Sequence, residues 1–351
     1  MSRTALITGI TGQDGSYLSE LLLSKGYHVH GIARRTSSLS RGRIERIREE
    51  AQRRALTYDL HYADMSDAGS LTRIILKVRP DEVYNLAAQA HVAVSFEQPE
   101  YTTDVNALGV LRLLEIFRTN GLPVRFYQAS SSELFGAADS SPQDENTVFN
   151  PASPYAVSKQ FGFSIVKNYR AAYGMHGCNG ILFNHESPRR GENFVTRKIT
   201  LGLARIRYGF QDVLSLGNLD ASRDWGYAGD YVDAMWRMLQ SEKADDYVVA
   251  TGKAHRVRDF IAKAARVADY EIEWRGEGVD EIGVDRKSGR TLVAVNERYY
   301  RPLESTRLVG NAAKARQHLD WVPTMDFEGL VQLMAETDLR IVRDGGSVTE
   351  I

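Results

Sequence analysis

The feature that most limits the possible folds is a set of three glycines between an apolar run and a helix-like run near the N-terminus. "ALITG" (5–9) is followed by Gly12 and Gly15, in the spacing G-x-x-G-x-x-G, and by "DGSYLSELLLSKG". Glycine permits a tight turn and lets the backbone approach a pyrophosphate. The helix after it offers free N–H groups and the positive end of its dipole to that anion. A turn without a ligand is the alternative, but the strand–turn–helix context favours binding.

Short β-rich runs alternate with helix-like segments as far as about residue 184. This alternation predicts an α/β fold, a doubly wound parallel Rossmann sheet with helices on both faces. Beyond it the rhythm loosens, and "DDYVVATG" (245–252) is expected to return to the sheet as a strand. We therefore expect one domain at 1–184 plus about 218–252. A smaller interleaved C-terminal α/β domain is expected at about 185–217 plus 253–345.

Composition excludes several classes of partner. The 351 residues carry 44 Lys and Arg against 45 Asp and Glu, which indicates neither nucleic acid nor an anionic membrane surface. No apolar run is long enough to cross a bilayer, and the first residues lack the apolar core of a signal peptide. Cys178 is the single cysteine, so a reducing compartment and a cytoplasmic location are expected. No pair of histidines has the spacing of a metal site.

The end of the second predicted strand indicates the choice of dinucleotide. NAD-selective folds place an acid there for the ribose 2′-hydroxyl, whereas arginine suits the 2′-phosphate of NADP. Arg34 and Arg35 occupy the expected place, about twenty residues past Gly15. Two solvated surface charges are the alternative. Asp64 is predicted to accept from the adenine amino group, and "LAAQA" (86–90) to line the nicotinamide-side ribose.

A helix start precedes a tyrosine–lysine pair. In "NPASPYAVSK", Ser153 is the predicted N-cap and Pro154 the first helical residue. Tyr155 and Lys159 then share one face of the helix. An ammonium near a phenol favours the phenolate, so the tyrosine can serve as a base, and the same ammonium can hold a ribose hydroxyl.

A hydroxyl and a carboxylate end the preceding strand. Because side chains alternate along a strand, Ser131 and Glu133 are predicted to point the same way, at the carboxyl end where such sheets bind ligands. Ser131 can hydrogen-bond a substrate hydroxyl that Tyr155 deprotonates. Oxidation of an alcohol does not need Glu133, which indicates a second chemical task. A helix cap or a salt bridge is the structural alternative.

These segments resemble the extended short-chain dehydrogenase/reductase family and, within it, the GDP-mannose 4,6-dehydratases. The resemblance runs almost end to end, and "FNHESPRRGENFVTRKIT" is its most specific block. Three departures stand out: Ser131 where the family often has Thr, Ala152 where Arg is common, and Leu303 and Ser305 around Glu304. The last two leave the identity of the sugar open, GDP-manno-heptose included.

The resemblance implies roles for particular residues. It implies catalysis by Ser131, Glu133, Tyr155 and Lys159, and GDP-sugar binding by Asn184, Lys198, Arg223, Arg301 and Glu304. Together with the two arginines discussed above, the implied NADP contacts are Gly9, Ile10, Thr11, Gly12, Gln13, Asp14, Arg34, Arg35, Asp64, Met65, Leu86, Ala87, Ala88, Gln89, Ala90, Tyr101, Tyr155, Lys159, His185 and Arg190. It also implies a homotetramer in which "RRTSSLSRGR" (34–43) lies near a neighbouring subunit's cofactor site.

The predicted reaction is an internal redox cycle. Tyr155 takes the C4 hydroxyl proton as C4 is oxidised, Glu133 removes the C5 proton as water leaves from C6, and C6 is then reduced to a 4-keto-6-deoxy sugar. A sugar-nucleotide epimerase or reductase on the same fold needs no such glutamate. A catalytically silent NADP-binding regulator would have no need for all four of Ser131, Glu133, Tyr155 and Lys159.

Overall fold

The computed structural model describes residues 2–35, 42–136, 140–299 and 308–346. The strands are β1 Thr4–Thr8, β2 His28–Ala33, β3 Tyr58–Tyr62, β4 Glu82–Asn85, β5 Arg125–Ser131, β6 Gly177–Leu182, β7 Asn184–Glu186, β8 Leu214–Leu216, β9 Ser222–Tyr227, β10 Asp246–Val249, β11 Ala254–Arg256, β12 Ile272–Arg275, β13 Ile282–Asp285 and β14 Thr291–Val295. The helices are α1 Gln13–Ser24, α2 Gly42–Arg53, α3 Ala68–Val78, α4 Val92–Glu97, α5 Pro99–Thr103, α6 Gly109–Thr119, α7 Pro154–Tyr173, α8 Val195–Arg207, α9 Ala228–Gln240, α10 Val257–Val267, α11 Ala313–Leu319 and α12 Phe327–Arg343.

Seven parallel strands form the main sheet, in the order β10-β6-β5-β4-β1-β2-β3. The predicted doubly wound α/β fold is confirmed, and β10 is the strand predicted to return to the sheet. The strand order reverses between β1 and β4. In doubly wound sheets, the crevice at the carboxyl ends of the strands at such a reversal is where ligands bind.

The core follows from the alternation of side chains along β1. Ala5 and Ile7 point to one face, where they pack in a cluster with residues of α1, α2, α9 and α11. Leu6 points to the other face, into a cluster formed with α3, α6 and α7. The strands are therefore apolar on both faces, as expected of a parallel sheet covered by helices.

The chain beyond β6 builds two small sheets, β11-β9-β7 and β12-β13-β14-β8. A separate apolar cluster joins these sheets to α8, α10 and α12. A buried ion pair also links two of the helices: Arg197 of α8 meets Asp338 of α12 at 2.8 Å, and both side chains are at most 1% exposed. Within the described ranges, no helix combines the length and apolarity that crossing a bilayer requires.

Candidate active site

The glycine turn lies in the crevice, and close backbone contacts at two of its positions require glycine. Gly9 has φ +69°, and a Cβ there would stand 2.8 Å from the backbone nitrogen of Ala87. A Cβ on Gly15 would stand 2.5 Å from the carbonyl oxygen of Gly9. Gly12 caps α1, whose first turn contains Asp14. Only glycine fits at these crossings, so the backbone N–H groups are free to approach an anion.

The segment 86–90 is fixed against the glycine turn by side chains. The hydroxyl of Thr8 accepts from the backbone N–H groups of Leu86 and Ala87, at 3.1 and 3.0 Å. The side chain of Asn106 accepts from the N–H of Gln89 at 2.9 Å and donates to its carbonyl at 3.0 Å. Asn106 lies in a single π-helical turn (104–108) between α5 and α6. Sequence reasoning missed this residue, because nothing in the local pattern indicates a π turn.

A cavity of about 550 Å³ opens along the glycine turn and the strand ends. Fifteen of the predicted cofactor residues line it: Gly9, Thr11, Gly12, Gln13, Asp14, Arg34, Asp64, Met65, Leu86, Ala87, Ala88, Gln89, Ala90, Tyr101 and Arg190. This volume lies within the range of small-molecule sites. A pocket of this size, with a glycine turn at a helix N-terminus, fits a dinucleotide.

The other predicted cofactor residues lie outside this wall. The side chain of Ile10 is fully buried beneath the turn, in the apolar core with β2. Arg35 is exposed, whereas the Arg34 guanidinium donates to the Tyr101 hydroxyl at 2.7 Å and lines the cavity. His185, Tyr155 and Lys159 are buried.

A buried ion pair connects the first helix to the segment after β6. His185 Nε2 lies 2.8 Å from the Asp14 carboxylate, and its Nδ1 lies 2.8 Å from the Phe183 carbonyl oxygen. Burial acts to lower the pKa of His185, but the Asp14 charge outweighs it and raises that pKa. Burial likewise acts to raise the pKa of Asp14, which the His185 imidazolium lowers instead. The charge and the hydrogen bond of Asp14 together therefore favour the protonated form of His185.

The segment 187–194 contacts α1 through Ser187 and Arg189, and its two arginines are both held by carboxylates. Arg189 donates to Glu20 at 2.6 Å and lies over the ring of Tyr17. Arg190 lies 3.2 Å from Glu186 and stacks on Phe194. Arg189, Gly191 and Phe194 line the cavity and were missed from the sequence, where "ESPRRGENF" indicated only a loop. The one signal in the sequence for a further cavity residue was Arg189, which directly precedes Arg190.

The tyrosine helix begins as predicted. The Ser153 hydroxyl accepts from the N–H of Ala156 at 3.1 Å, and Pro154 is the first helical residue of α7. Tyr155 and Lys159 face inwards and are buried. The Lys159 ammonium donates to the Ala129 carbonyl of β5 at 2.9 Å and stands 6.0 Å from the Tyr155 ring centroid.

Ser131 and Glu133 both lie near Tyr155, but the local structure that places them there differs from the prediction. The strand ends at Ser131, and Glu133 lies in a 3₁₀ turn (132–134) rather than on the strand. The Ser131 hydroxyl caps this turn by accepting from the N–H of Glu133 at 3.2 Å. Alternation along a strand was therefore the wrong reason for placing the two side chains together. Both lie close enough to Tyr155 to affect its ionisation, Ser131 through a hydrogen bond and Glu133 through its charge.

The ionisation of the tyrosine–lysine pair is set chiefly by burial. Burial raises the pKa of Tyr155 to about 12; Ser131 opposes this shift and the Glu133 charge reinforces it. Burial lowers the pKa of Lys159 to about 8, against the opposing charge of Asp14. The ammonium therefore does not by itself bring the tyrosine towards neutral pH, contrary to the sequence-based expectation.

The predicted sugar-nucleotide residues all come after β6 in the chain. Asn184 and Arg223 lie on β7 and β9 of one small sheet, and Lys198 of α8 stands 4.2 Å from the ring centroid of Tyr299. Arg301 and Glu304 lie outside the described residues. Among the described residues, no three His, Cys, Asp or Glu side chains group as a metal site.

Fold and site together define a class. A doubly wound sheet, a glycine turn at its switch point and a buried Tyr-x-x-x-Lys pair beside the cavity are typical of a nicotinamide-dependent enzyme of the extended short-chain dehydrogenase/reductase type. A solved structure of UDP-glucose 4-epimerase from Bifidobacterium longum, in complex with NAD+ and UDP, shares this fold with a TM-score of 0.79 at 19% identity; the match covers 98% of this chain and 100% of that one.

Comparison of sequences narrows the class. The family model "GDP-mannose 4,6 dehydratase" matches residues 6–334. The GDP-mannose 4,6 dehydratase of Drosophila melanogaster is 54% identical, over 97% of this chain and 87% of its own length. The GDP-mannose 4,6-dehydratase of Yersinia enterocolitica is 52% identical, over 96% of this chain and 94% of its own. The chain belongs to the GDP-mannose 4,6-dehydratase family.

Proposed function

We propose that this chain converts GDP-mannose to GDP-4-keto-6-deoxymannose with loss of water, by an internal redox cycle through bound NADP. The observation that carries the proposal is the position of Glu133, a carboxylate beside the Ser131–Tyr155 pair in a member of this family. Alcohol oxidation uses the hydroxyl groups and the lysine alone. The carboxylate supplies the base that elimination requires.

The preference for NADP rests on the end of β2. The strand ends at Ala33 and is followed by Arg34 and Arg35, so a guanidinium stands where an NAD-selective fold has an acid. Arg34 lines the cavity, which suits a 2′-phosphate. When bound, the dinucleotide would supply the hydride acceptor for C4 of the sugar and the hydride donor for C6.

The protein residues carry the proton steps. Tyr155 removes the proton of the C4 hydroxyl while Ser131 hydrogen-bonds the same oxygen, and C4 becomes a ketone. The ketone acidifies the hydrogen on C5, and Glu133 takes this proton while the C6 hydroxyl leaves as water. The C5=C6 double bond then gains a hydride at C6 and a proton at C5, so the two protons taken up by Tyr155 and Glu133 equal the two that the departing hydroxyl and C5 consume. Lys159 holds the ribose hydroxyl groups of the dinucleotide.

We further propose that the two parts of the chain divide the binding. Residues 1–184 plus about 218–252 bind the dinucleotide, and about 185–217 plus 253–345 bind the GDP-sugar. The proposed contacts to the GDP-sugar are Lys198, Arg301 and Glu304 of the second part, together with Asn184 and Arg223 of the first. A cytoplasmic location, for which the single cysteine argues, stays a prediction.

A homo-oligomer, specifically a tetramer, is proposed for the assembly. Supporting it, four large apolar side chains are exposed on α7 and on elements packed against it: Phe96, Leu108, Val157 and Phe161. A second copy of the chain is the occupant that such a face suits, because apolar surface grouped in this way marks an interface.

The deciding experiment uses the variant Glu133→Gln. The neutral amide keeps the shape of the side chain but cannot take a proton from C5. We expect GDP-mannose to be oxidised at C4, seen as reduced-nicotinamide absorbance in a single turnover, while release of dehydrated product falls about 10²–10⁴-fold. Mass spectrometry of the nucleotide sugar measures the loss of water.

The exposed Glu97 on α4 provides the matched control, since Glu97→Gln makes the same change away from the site. A second variant, Tyr155→Phe, should abolish both the absorbance and the loss of water. Dehydration by Glu133→Gln at the unmodified rate would remove Glu133 from the role of base, whereas no loss of water from GDP-mannose with the unmodified protein would overturn the proposed reaction.

The same assay separates the alternatives. Ala152, exposed immediately before the cap of α7, leaves room for a different sugar, so GDP-manno-heptose is offered beside GDP-mannose. Net consumption of added NADPH would indicate a reductase, and a change of sugar without loss of water an epimerase. Dinucleotide binding without turnover of any GDP-sugar would indicate a silent regulator.

A further inference from the structure

We propose that Arg43, at the start of α2, binds the pyrophosphate of the dinucleotide held by its own chain. The inference rests on the proposed function only in requiring a dinucleotide in the cavity. It adds to the predicted cofactor residues a cation that comes from α2 and contacts the glycine turn.

The position of Arg43 is set by the glycine turn itself. Its Nη1 donates to the carbonyl oxygen of Thr11 at 3.2 Å, and the side chain lines the cavity. Thr11 lies between Gly9 and Gly12, where the backbone approaches the bound anion. A single guanidinium can bond this carbonyl and still direct other N–H groups into the cavity, because its five donors form a planar fork.

The partners of the neighbouring arginines show that Arg43 differs from them. Each of the other three is paired with a carboxylate: Arg189 with Glu20, Arg190 with Glu186 and Arg197 with Asp338. Among the residues that the structure describes, Arg43 has no carboxylate partner. Its Nε is buried and makes no hydrogen bond, which is also true of the Nε of Arg190 and of Arg197, so the lack of a paired carboxylate is what distinguishes Arg43. A buried donor without an acceptor is costly, so the site is completed by a ligand that brings one.

The charges around Arg43 favour an anion. Burial lowers the pKa of Arg43, and the nearby positive charges of Arg197 and Arg189 lower it further. The guanidinium nevertheless remains charged at neutral pH. The charge of Glu192 offsets these positive charges only in part. A phosphate at this point would offset more of them, and charge-assisted bonds to Arg are among the strongest in proteins.

The positions of Arg34 and Arg43 indicate which phosphate of the dinucleotide each of them would bind. Arg34 is directed to Tyr101, at the end of β2 where the 2′-phosphate is expected. Arg43 is directed to Thr11, within the turn that approaches the pyrophosphate. The two arginines therefore serve different phosphates, and Arg43 is the one that NAD and NADP would contact alike.

Binding of reduced dinucleotides to the protein, followed by nicotinamide fluorescence without any GDP-sugar, tests this assignment. We expect Arg43→Ala to weaken NADPH and NADH by a similar factor, about tenfold or more for each, and to leave the affinity for GDP unchanged. Arg43→Lys keeps the charge but loses the fork, so its loss should be smaller. Arg34→Ala should weaken NADPH selectively.

Arg48→Ala is the matched control, because Arg48 is exposed on the same helix and makes no ion pair among the described residues. Unchanged affinities in Arg43→Ala, with the protein folded as judged by circular dichroism, would overturn the proposal. So would a loss confined to NADPH, which would place Arg43 at the 2′-phosphate, or a loss confined to GDP. Because no sugar is present, these outcomes are independent of whether the chain is a dehydratase.

Discussion

At the scale of single residues, the charge of Lys159 depends on pH, because burial lowers the pKa of its ammonium group. Its ammonium is buried against the Ala129 carbonyl, and its pKa is lowered to about 8. The group is charged below that pH and becomes neutral as the pH rises through it. The contribution of Lys159 to ribose binding is therefore present at neutral pH and declines in mild alkali.

This titration gives a testable pH dependence. We expect the affinity for NADPH to fall as the pH rises above about 8, by up to roughly tenfold per pH unit as the charged fraction falls. In Lys159→Arg the decline should disappear, because a guanidinium keeps its proton. Binding is measured by fluorescence titration across the pH range.

Lys167→Arg, on the exposed side of the same helix, is the control and should keep the wild-type profile. An alkaline decline that persists unchanged in Lys159→Arg would assign the titration to another group.

The sequence predicted the start of the tyrosine helix correctly but not the local structure that follows β5. Tyr155, Lys159 and the cap at Ser153 follow from spacing on one helix, which is a local property. The relation between Ser131 and Glu133 depended on where β5 stops, and a capped 3₁₀ turn replaced the expected strand alternation. Where a strand ends depends on the strands that pair with it and on capping side chains. A short stretch of sequence does not show which these are.

At the scale of elements, the glycine turn is specified by steric exclusion. Gly15 lies in the first turn of α1, where a Cβ would come within 2.5 Å of the Gly9 carbonyl oxygen and 2.6 Å of the Ile10 Cα. Both are backbone atoms, so the turn itself must shift to admit a methyl group. The sequence pattern predicted the turn, and the structure supplies the reason for its third glycine.

We therefore expect Gly15→Ala to distort the turn at a cost of about 1–3 kcal/mol and to weaken dinucleotide binding about tenfold or more. Gly69→Ala is the control, because Gly69 lies in the first turn of α3, is exposed, and would place its Cβ 3.4 Å from the nearest atom, the Asp67 Oδ1. That change should be neutral or stabilising by up to about 1 kcal/mol. Thermal unfolding and NADPH titration measure the two effects, and equal behaviour of the two variants would contradict the steric argument.

At the scale of the whole molecule, the exposed apolar face around α7 lies on the helix that carries Tyr155 and Lys159. Val157 and Phe161, one turn apart, are 54% and 40% exposed, whereas Tyr155 and Lys159 are buried. An interface there would hold the catalytic helix from its outer side. Assembly and the geometry of the site are then connected through one element.

A charge on this face should prevent assembly. We expect Phe161→Glu to lower the molar mass in solution, as measured by analytical ultracentrifugation, because a carboxylate buried in an apolar interface is costly. Phe210→Glu makes the same change at a phenylalanine that is 72% exposed after α8, and it should leave the mass unchanged. If Phe161→Glu keeps the mass of the unmodified protein, this face is not the interface.

The sequence by itself determined the parallel sheet, the glycine turn, the capped helix and the family, because each follows from spacing and polarity along short stretches of chain. Only the tertiary structure decided that the segment 187–194 contacts α1 and that Arg43 reaches Thr11. The Gln13 side chain, for example, donates to the carbonyl of His185, 172 positions away. Such contacts depend on how packed helices and strands bring distant segments together, and no local pattern in either segment records the other.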